Sequence, residues 1–82
     1  MVNTYSNLLL CYIQLQNKIE AACENGKADK QLIQVVRMLL KAVQSAVAEF
    51  NNYNFFCDLE IKVNEDYQTL KKLYQDDRFK NK

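Results

Sequence analysis

A single glycine and no proline in 82 residues limit this chain more than any other feature. Proline and glycine are the residues that end or bend helices, so a chain nearly free of both runs in long helices. The one glycine, Gly26, directly follows Asn25. It can take the left-handed conformation that closes a helix, and the residues before it read as one. Tyr5, Leu8, Tyr12, Leu15, Ile19 and Ala22 recur at steps of three and four, one face of about six helical turns. Leu9 and Ile13 widen that stripe, and Asn3 or Thr4 can cap its start. The spacing predicts a helix near 4–25.

Asp29 offers a second cap. Leu32, Val36, Leu39, Val43, Ala46, Phe50 and Tyr53 then continue the three-four rhythm, predicting a helix near 29–52. Ile33, Leu40 and Val47 lie along one shoulder of this stripe, and Val35, Met38 and Ala42 along the other. At ~100° per residue the apolar arc exceeds half the circumference. Lys30, Gln34, Arg37, Lys41, Gln44 and Ala48 fill the rest. A helix apolar on two sides has neighbours on two sides, either two helices of its own chain or one helix and a second subunit.

Asn51-Asn52-Tyr53-Asn54 marks the next break, since asparagine tolerates turn conformations. Farther on, Val63, Tyr67, Leu70 and Tyr74 step by four, three and four with Leu73 beside them. Arg78 and Lys80 sit suitably near the C-terminal end of that helix, and residues 80–82 are expected to fray. Between break and helix lies FFCDLEIKVNED. Here Cys57, Leu59, Ile61 and Val63 alternate with polar residues as in a strand, while Phe56, Leu59 and Val63 also extend the Tyr67/Leu70/Tyr74 stripe backwards. Residues 55–63 can therefore be extended or helical. No other segment alternates, so a strand must find its backbone partners in another chain. The helical reading is favoured, with a third helix near 57–79. The expected fold is all-α: one domain, 1–82, an antiparallel up-down-up bundle of three helices.

Composition narrows the chemistry. About half the residues are apolar, enough for a core and too many for a disordered chain. A chain this short buries only roughly 60–65% of its unfolded surface, and one core supplies only a few kcal/mol below about 80 residues without a staple, metal or partner. The three cysteines, Cys11, Cys23 and Cys57, are odd in number, and histidine is absent. A disulfide scaffold and a zinc site are not expected; buried free thiols are. Self-association, as a dimer, or a protein partner is the expected route to further stability. The N-terminal MVNTYSNLLLCYIQLQ has no basic leader, and its apolar run over 8–13 is far short of the ~20 residues of a membrane span. A cytoplasmic protein that engages no membrane is expected.

Without histidine there is no Ser-His or Cys-His pair, and without a glycine-rich loop no phosphate cradle of the usual kinds. Glu65-Asp66 and Asp76-Asp77 are adjacent acids that point about 100° apart on a helix. Glu20 and Glu24 can hold half a divalent ion, but no second such pair completes the site. No enzyme activity, metal or cofactor is expected. Lys30, Arg37 and Lys41 line one side of the second helix. They suit an acidic protein surface, or phosphates with glutamines reaching base edges, yet a net charge of +1 gives no global field for nucleic acid. Tyr5, Tyr12, Phe50, Tyr53, Tyr67 and Tyr74 fall on core stripes. Phe55 and Phe56, at the junction before the third helix, are either the plug at one end of the bundle or an anchor for a partner.

The sequence thus points to a non-enzymatic protein-interaction module of inhibitor, adaptor or chaperone type. Short histidine-free bundles occur among secretion-system chaperones, phage-borne inhibitors of host defence and small adaptors, an analogy of fold class alone. The partner-binding residues expected are Lys30, Val35, Arg37, Met38, Lys41, Ala42, Phe55 and Phe56. The alternative is a small nucleic-acid-binding regulator that uses the basic face of the second helix.

Overall fold

The computed structural model describes residues 2–51 and 54–80, with side chains over 3–51 and 54–75. Within them the chain forms α1 (Val2–Asn25), α2 (Lys30–Glu49) and α3 (Asn54–Lys80), and no strand. Tyr5 of α1 lies against Phe55 and Phe56 at the start of α3, and Tyr12 reaches Asp66, so α1 and α3 run parallel. Phe50, just past the end of α2, stacks on Phe56 near the start of α3, and Leu32 and Val35 near the start of α2 share a groove with Leu15 and Lys18 farther along α1, so α2 runs against them. This is the expected up-down-up bundle. At ~1.5 Å per residue the longest helix, α3 with 27 residues, measures about 40 Å, in keeping with a molecule of 46 × 20 × 17 Å.

The stops follow from local chemistry. Gly26 takes φ +68°, and the Lys27 N–H reaches back to the Ala22 carbonyl at 3.2 Å, the closing bond of a left-handed helix end. Asp29 is extended (φ −74°, ψ 137°), and its carboxylate accepts from the Gln31 N–H at 3.3 Å, relieving one unsatisfied donor of α2. The second stop comes earlier than the spacing predicts. α2 ends at Glu49 rather than near 52 because Asn51 swings to φ 57°. The Phe50 N–H still donates to the Ala46 carbonyl at 2.9 Å, and asparagine is among the few residues other than glycine that accept this conformation. Phe50 is therefore the C-cap of α2, its ring still packed on Phe56, and Tyr53 lies outside the described residues. α3 begins at Asn54, not near 57, and α1 at Val2, not near 4. Lys80 is still helical; residues 81 and 82, also expected to fray, lie outside the described residues, as do the side chains of Asp76, Asp77, Arg78 and Lys80.

The ambiguous stretch is helix throughout. Phe56, Leu59 and Val63 are buried while Ile61 is 56% exposed, the split that a 3.6-residue repeat demands and an alternating strand forbids. With Leu70 they make α3's contribution to the core. α2 supplies Val36, Leu39, Leu40, Val43 and Ala46, and Ile19, Ala22 and Ala28 close the far end. The α2–α3 interface is the most extensive of the three. Along α1, Tyr5, Leu8, Leu9, Tyr12 and Leu15 pack against the core but stay half-buried. Ile13, expected to widen the stripe, is 54% exposed, as is Leu10.

The cysteines depart from expectation. Cys11 and Cys23 are exposed and Cys57 is half-buried. Cys11 falls just off the α1 packing stripe, and Cys23 sits where α1 runs out into the turn, so neither thiol is covered.

Candidate functional site

The eight residues proposed for partner contact do not form one site. They divide between the two flanks of α2 and one end of the bundle.

On the flank toward α1, Val35 is 41% exposed and Met38 70%, with Ala42 exposed one turn on. The three lie at steps of three and four, so they form one row. Val35 also lines a shallow groove of about 170 Å³ with Leu15 and Lys18 of α1 and Gln31 and Leu32 of α2. The opposite shoulder is treated differently: Leu40 is buried, and Ile33 and Val47 are half-buried. Three helices thus cover one shoulder of α2 and leave the other to solvent.

On the flank toward α3, Lys30, Ile33, Gln34 and Arg37 form one wall of a second groove, of about 270 Å³. Tyr67, Lys71, Tyr74 and Gln75 of α3 form the other. The Lys71 ammonium lies 5.3 Å from the centroid of the Tyr67 ring, a cation–π distance. Lys41 is exposed one turn beyond Arg37. Lys71, Tyr67 and Tyr74 were not legible as a site from the sequence. The tyrosines follow the core rhythm, and only the fold sets Lys71 opposite Arg37. The signal was their own spacing, Tyr67-Lys71-Tyr74 at steps of four and three, one face of α3.

At the end where α3 begins, the two phenylalanines separate. Phe56 is fully buried, edge-on to Tyr5 at 5.5 Å and stacked on Phe50 at 5.2 Å with 11° between planes. It plugs the bundle and cannot meet a partner, which corrects its place among the contact residues. Phe55, about 100° around the helix, is 53% exposed and leans on Tyr5 at 5.4 Å.

A polar tie joins α1 to α3. The Tyr12 hydroxyl donates to Asp66 Oδ2 at 2.6 Å. Burial, together with the Asp66 carboxylate that holds the phenolic proton and repels a phenolate, pushes the Tyr12 pKa from 10.0 up to about 12. The other adjacent acid, Glu65, is exposed and accepts a bond from Thr69 only through its backbone carbonyl. Glu20 and Glu24 are both exposed. Among the described residues no three His, Cys, Asp or Glu side chains gather as a metal site, and no helix is long and apolar enough to cross a membrane.

No known protein family matches the sequence, and no curated protein or solved structure is detectably similar to it.

Proposed function

We propose that this chain is a non-enzymatic protein-binding module, of inhibitor, adaptor or chaperone type, that works by seating the α1-side shoulder of α2 on a partner surface or on a second copy of itself. One observation carries the reading: the row Val35, Met38, Ala42 is left open to solvent, with Val35 at the edge of the groove that Leu15 and Lys18 of α1 line. An exposed methionine is a flexible, polarizable group that adapts to a partner's shape. The neighbouring alanine lets a helix approach closely, and half-buried Leu15 extends the apolar strip onto α1. The twelve buried apolar side chains among the described residues are a modest core for a domain of this size, so a bound neighbour also adds stability.

The test is Met38→Glu. A charge at a position this open leaves the fold intact, with stability changed by no more than about 0.5 kcal/mol, while self-association in a sedimentation dilution series, or retention of a partner from host lysate, is lost. If Met38→Glu unfolds the protein, the shoulder is core. If it folds and association is unchanged, the shoulder is not the contact surface. Either result ends the proposal.

A further inference from the structure

The groove on the other flank of α2 rests on different residues, and its chemistry is distinct. Among the described residues its walls carry three cations, Lys30, Arg37 and Lys71, and no carboxylate, on a chain whose net charge is only +1. Two described acids beside it are engaged elsewhere. Asp29 caps α2 and lines the opposite groove, and Asp66 is turned to Tyr12 of α1. Ile33, Tyr67 and Tyr74, all half-buried, give the groove an apolar floor. Lys71 is held over the Tyr67 ring, which limits the freedom it must lose on pairing.

We propose that this α2–α3 groove docks an acidic helical segment of a partner protein, whose carboxylates two turns apart meet Lys30 and Arg37 while Lys71 closes on them from the opposite wall. Lys30 and Arg37 are seven residues apart, about 10.5 Å along the helix. A partner helix laid along the groove repeats its own side chains at that interval. Tyrosine and arginine are also the side chains enriched where protein partners bind most strongly. Single-stranded nucleic acid fits less well. Tyr67 and Tyr74 are likewise about 10.5 Å apart, too far to stack successive bases spaced ~3.4 Å. One face of Tyr67 is already occupied by Lys71, and three cations neutralise few phosphates.

The experiment titrates the full ¹⁵N-labelled chain with three probes: a capped, alanine-based helical peptide with two glutamates seven residues apart and leucines between them, its twin with both glutamates replaced by glutamine, and a single-stranded oligothymidylate. The glutamate peptide gives saturable shift changes at the amides of Ile33, Gln34, Tyr67 and Lys71. The glutamine twin binds about tenfold more weakly, as does the Arg37→Glu, Lys71→Glu double variant with its helical circular dichroism unchanged. Equal binding of the two peptides, an absence of shift changes, or tighter oligonucleotide binding at these amides overturns the proposal. Met38→Glu separates the two flanks. Peptide binding that survives it supports the groove, whereas binding that it abolishes puts the peptide on the α1 side, which removes the groove assignment and leaves the shoulder reading standing.

Discussion

Phe55, Phe56 and Ile61 are the residues at which a helical α3 and an extended one demand opposite outcomes. In the helix, Phe56 points into the bundle with no exposed surface, while Phe55 is 53% and Ile61 56% exposed. In an extended chain with Leu59 and Val63 inward, the odd-numbered residues Phe55 and Ile61 turn inward with them and Phe56 turns out. Phe56→Ala removes a buried ring stacked on Phe50 and edge-on to Tyr5. Truncations of this kind cost about 3–5 kcal/mol, out of about 4–12 kcal/mol for a domain of this length. At 4–8 °C per kcal/mol, the melting temperature falls by at least about 12 °C. Phe55→Ala loses a half-exposed ring leaning on Tyr5, worth about 1 kcal/mol. Ile61→Ser, at an open position, stays within about 0.5 kcal/mol. Urea unfolding followed by circular dichroism at 222 nm reads all three, with midpoint shifts interpreted only where the slope is unchanged. Phe55→Ala as costly as Phe56→Ala, or Ile61→Ser costing more than about 1.5 kcal/mol, refutes the helical register and with it the interface of α3 with both other helices.

Two further outcomes test the joints of the fold. The Tyr12 phenol is raised to about 12 in the folded chain against 10.0 for the free group, so the unfolded chain loses its proton first. The contribution is complete below pH 10 and drains away as pH climbs toward 12. Tyr12→Phe therefore lowers stability at neutral pH by about 1 kcal/mol and flattens the fall between pH 10 and 12, both seen by comparing urea midpoints of the two proteins across that window. At Gly26, φ is +68° and an added Cβ meets nothing within 4 Å. Gly26→Ala costs only the left-handed penalty of about 1–2 kcal/mol, and a melting shift well beyond that range would mean the turn is packed more tightly than it is here.

The three helices were legible because each writes its own period. A stripe such as Tyr5/Leu8/Tyr12 or Val63/Tyr67/Leu70 needs no knowledge of its partner, and Gly26 and Asp29 act on backbone groups only a few residues away. Where several residues offered the same chemistry, legibility failed. Three asparagines crowd the second break, and no local pattern says that Asn51 is left-handed or that Phe50 before it comes to rest against Phe56. Whether the shoulder Val35/Met38/Ala42 is core or open surface is undecided by the sequence for another reason. Periodicity gives the direction in which a side chain leaves its helix, but coverage depends on how far a neighbour reaches around. The thiols show the same limit: Cys11 lies one step beside an apolar stripe, yet that step puts it in water. The α2–α3 groove needed residues 30 to 37 and 67 to 75 set side by side, a juxtaposition made by tertiary structure alone.

The two flanks of α2 differ because its two neighbours do. α3 brings Phe56, Leu59, Val63 and Leu70 into full burial against the bundle, whereas α1 buries Ile19 and Ala22 and leaves the rest of its stripe half-covered. Apolar surface that α1 does not reach stays open on its side of α2, as Val35 and Met38. On the α3 side the apolar residues are already used, and what remains at the rim is charge and phenol. The proposed occupant of the α1-side seam gains from removing apolar area from water, about 25 cal/mol per Å², and in doing so also covers the half-exposed stripe of α1. The proposed acidic occupant of the other groove gains mainly from charge at solvent-open positions, where each pair is worth about 1 kcal/mol or less. Binding on the first flank therefore rises with apolar contact and tolerates salt, whereas binding on the second weakens as salt screens it.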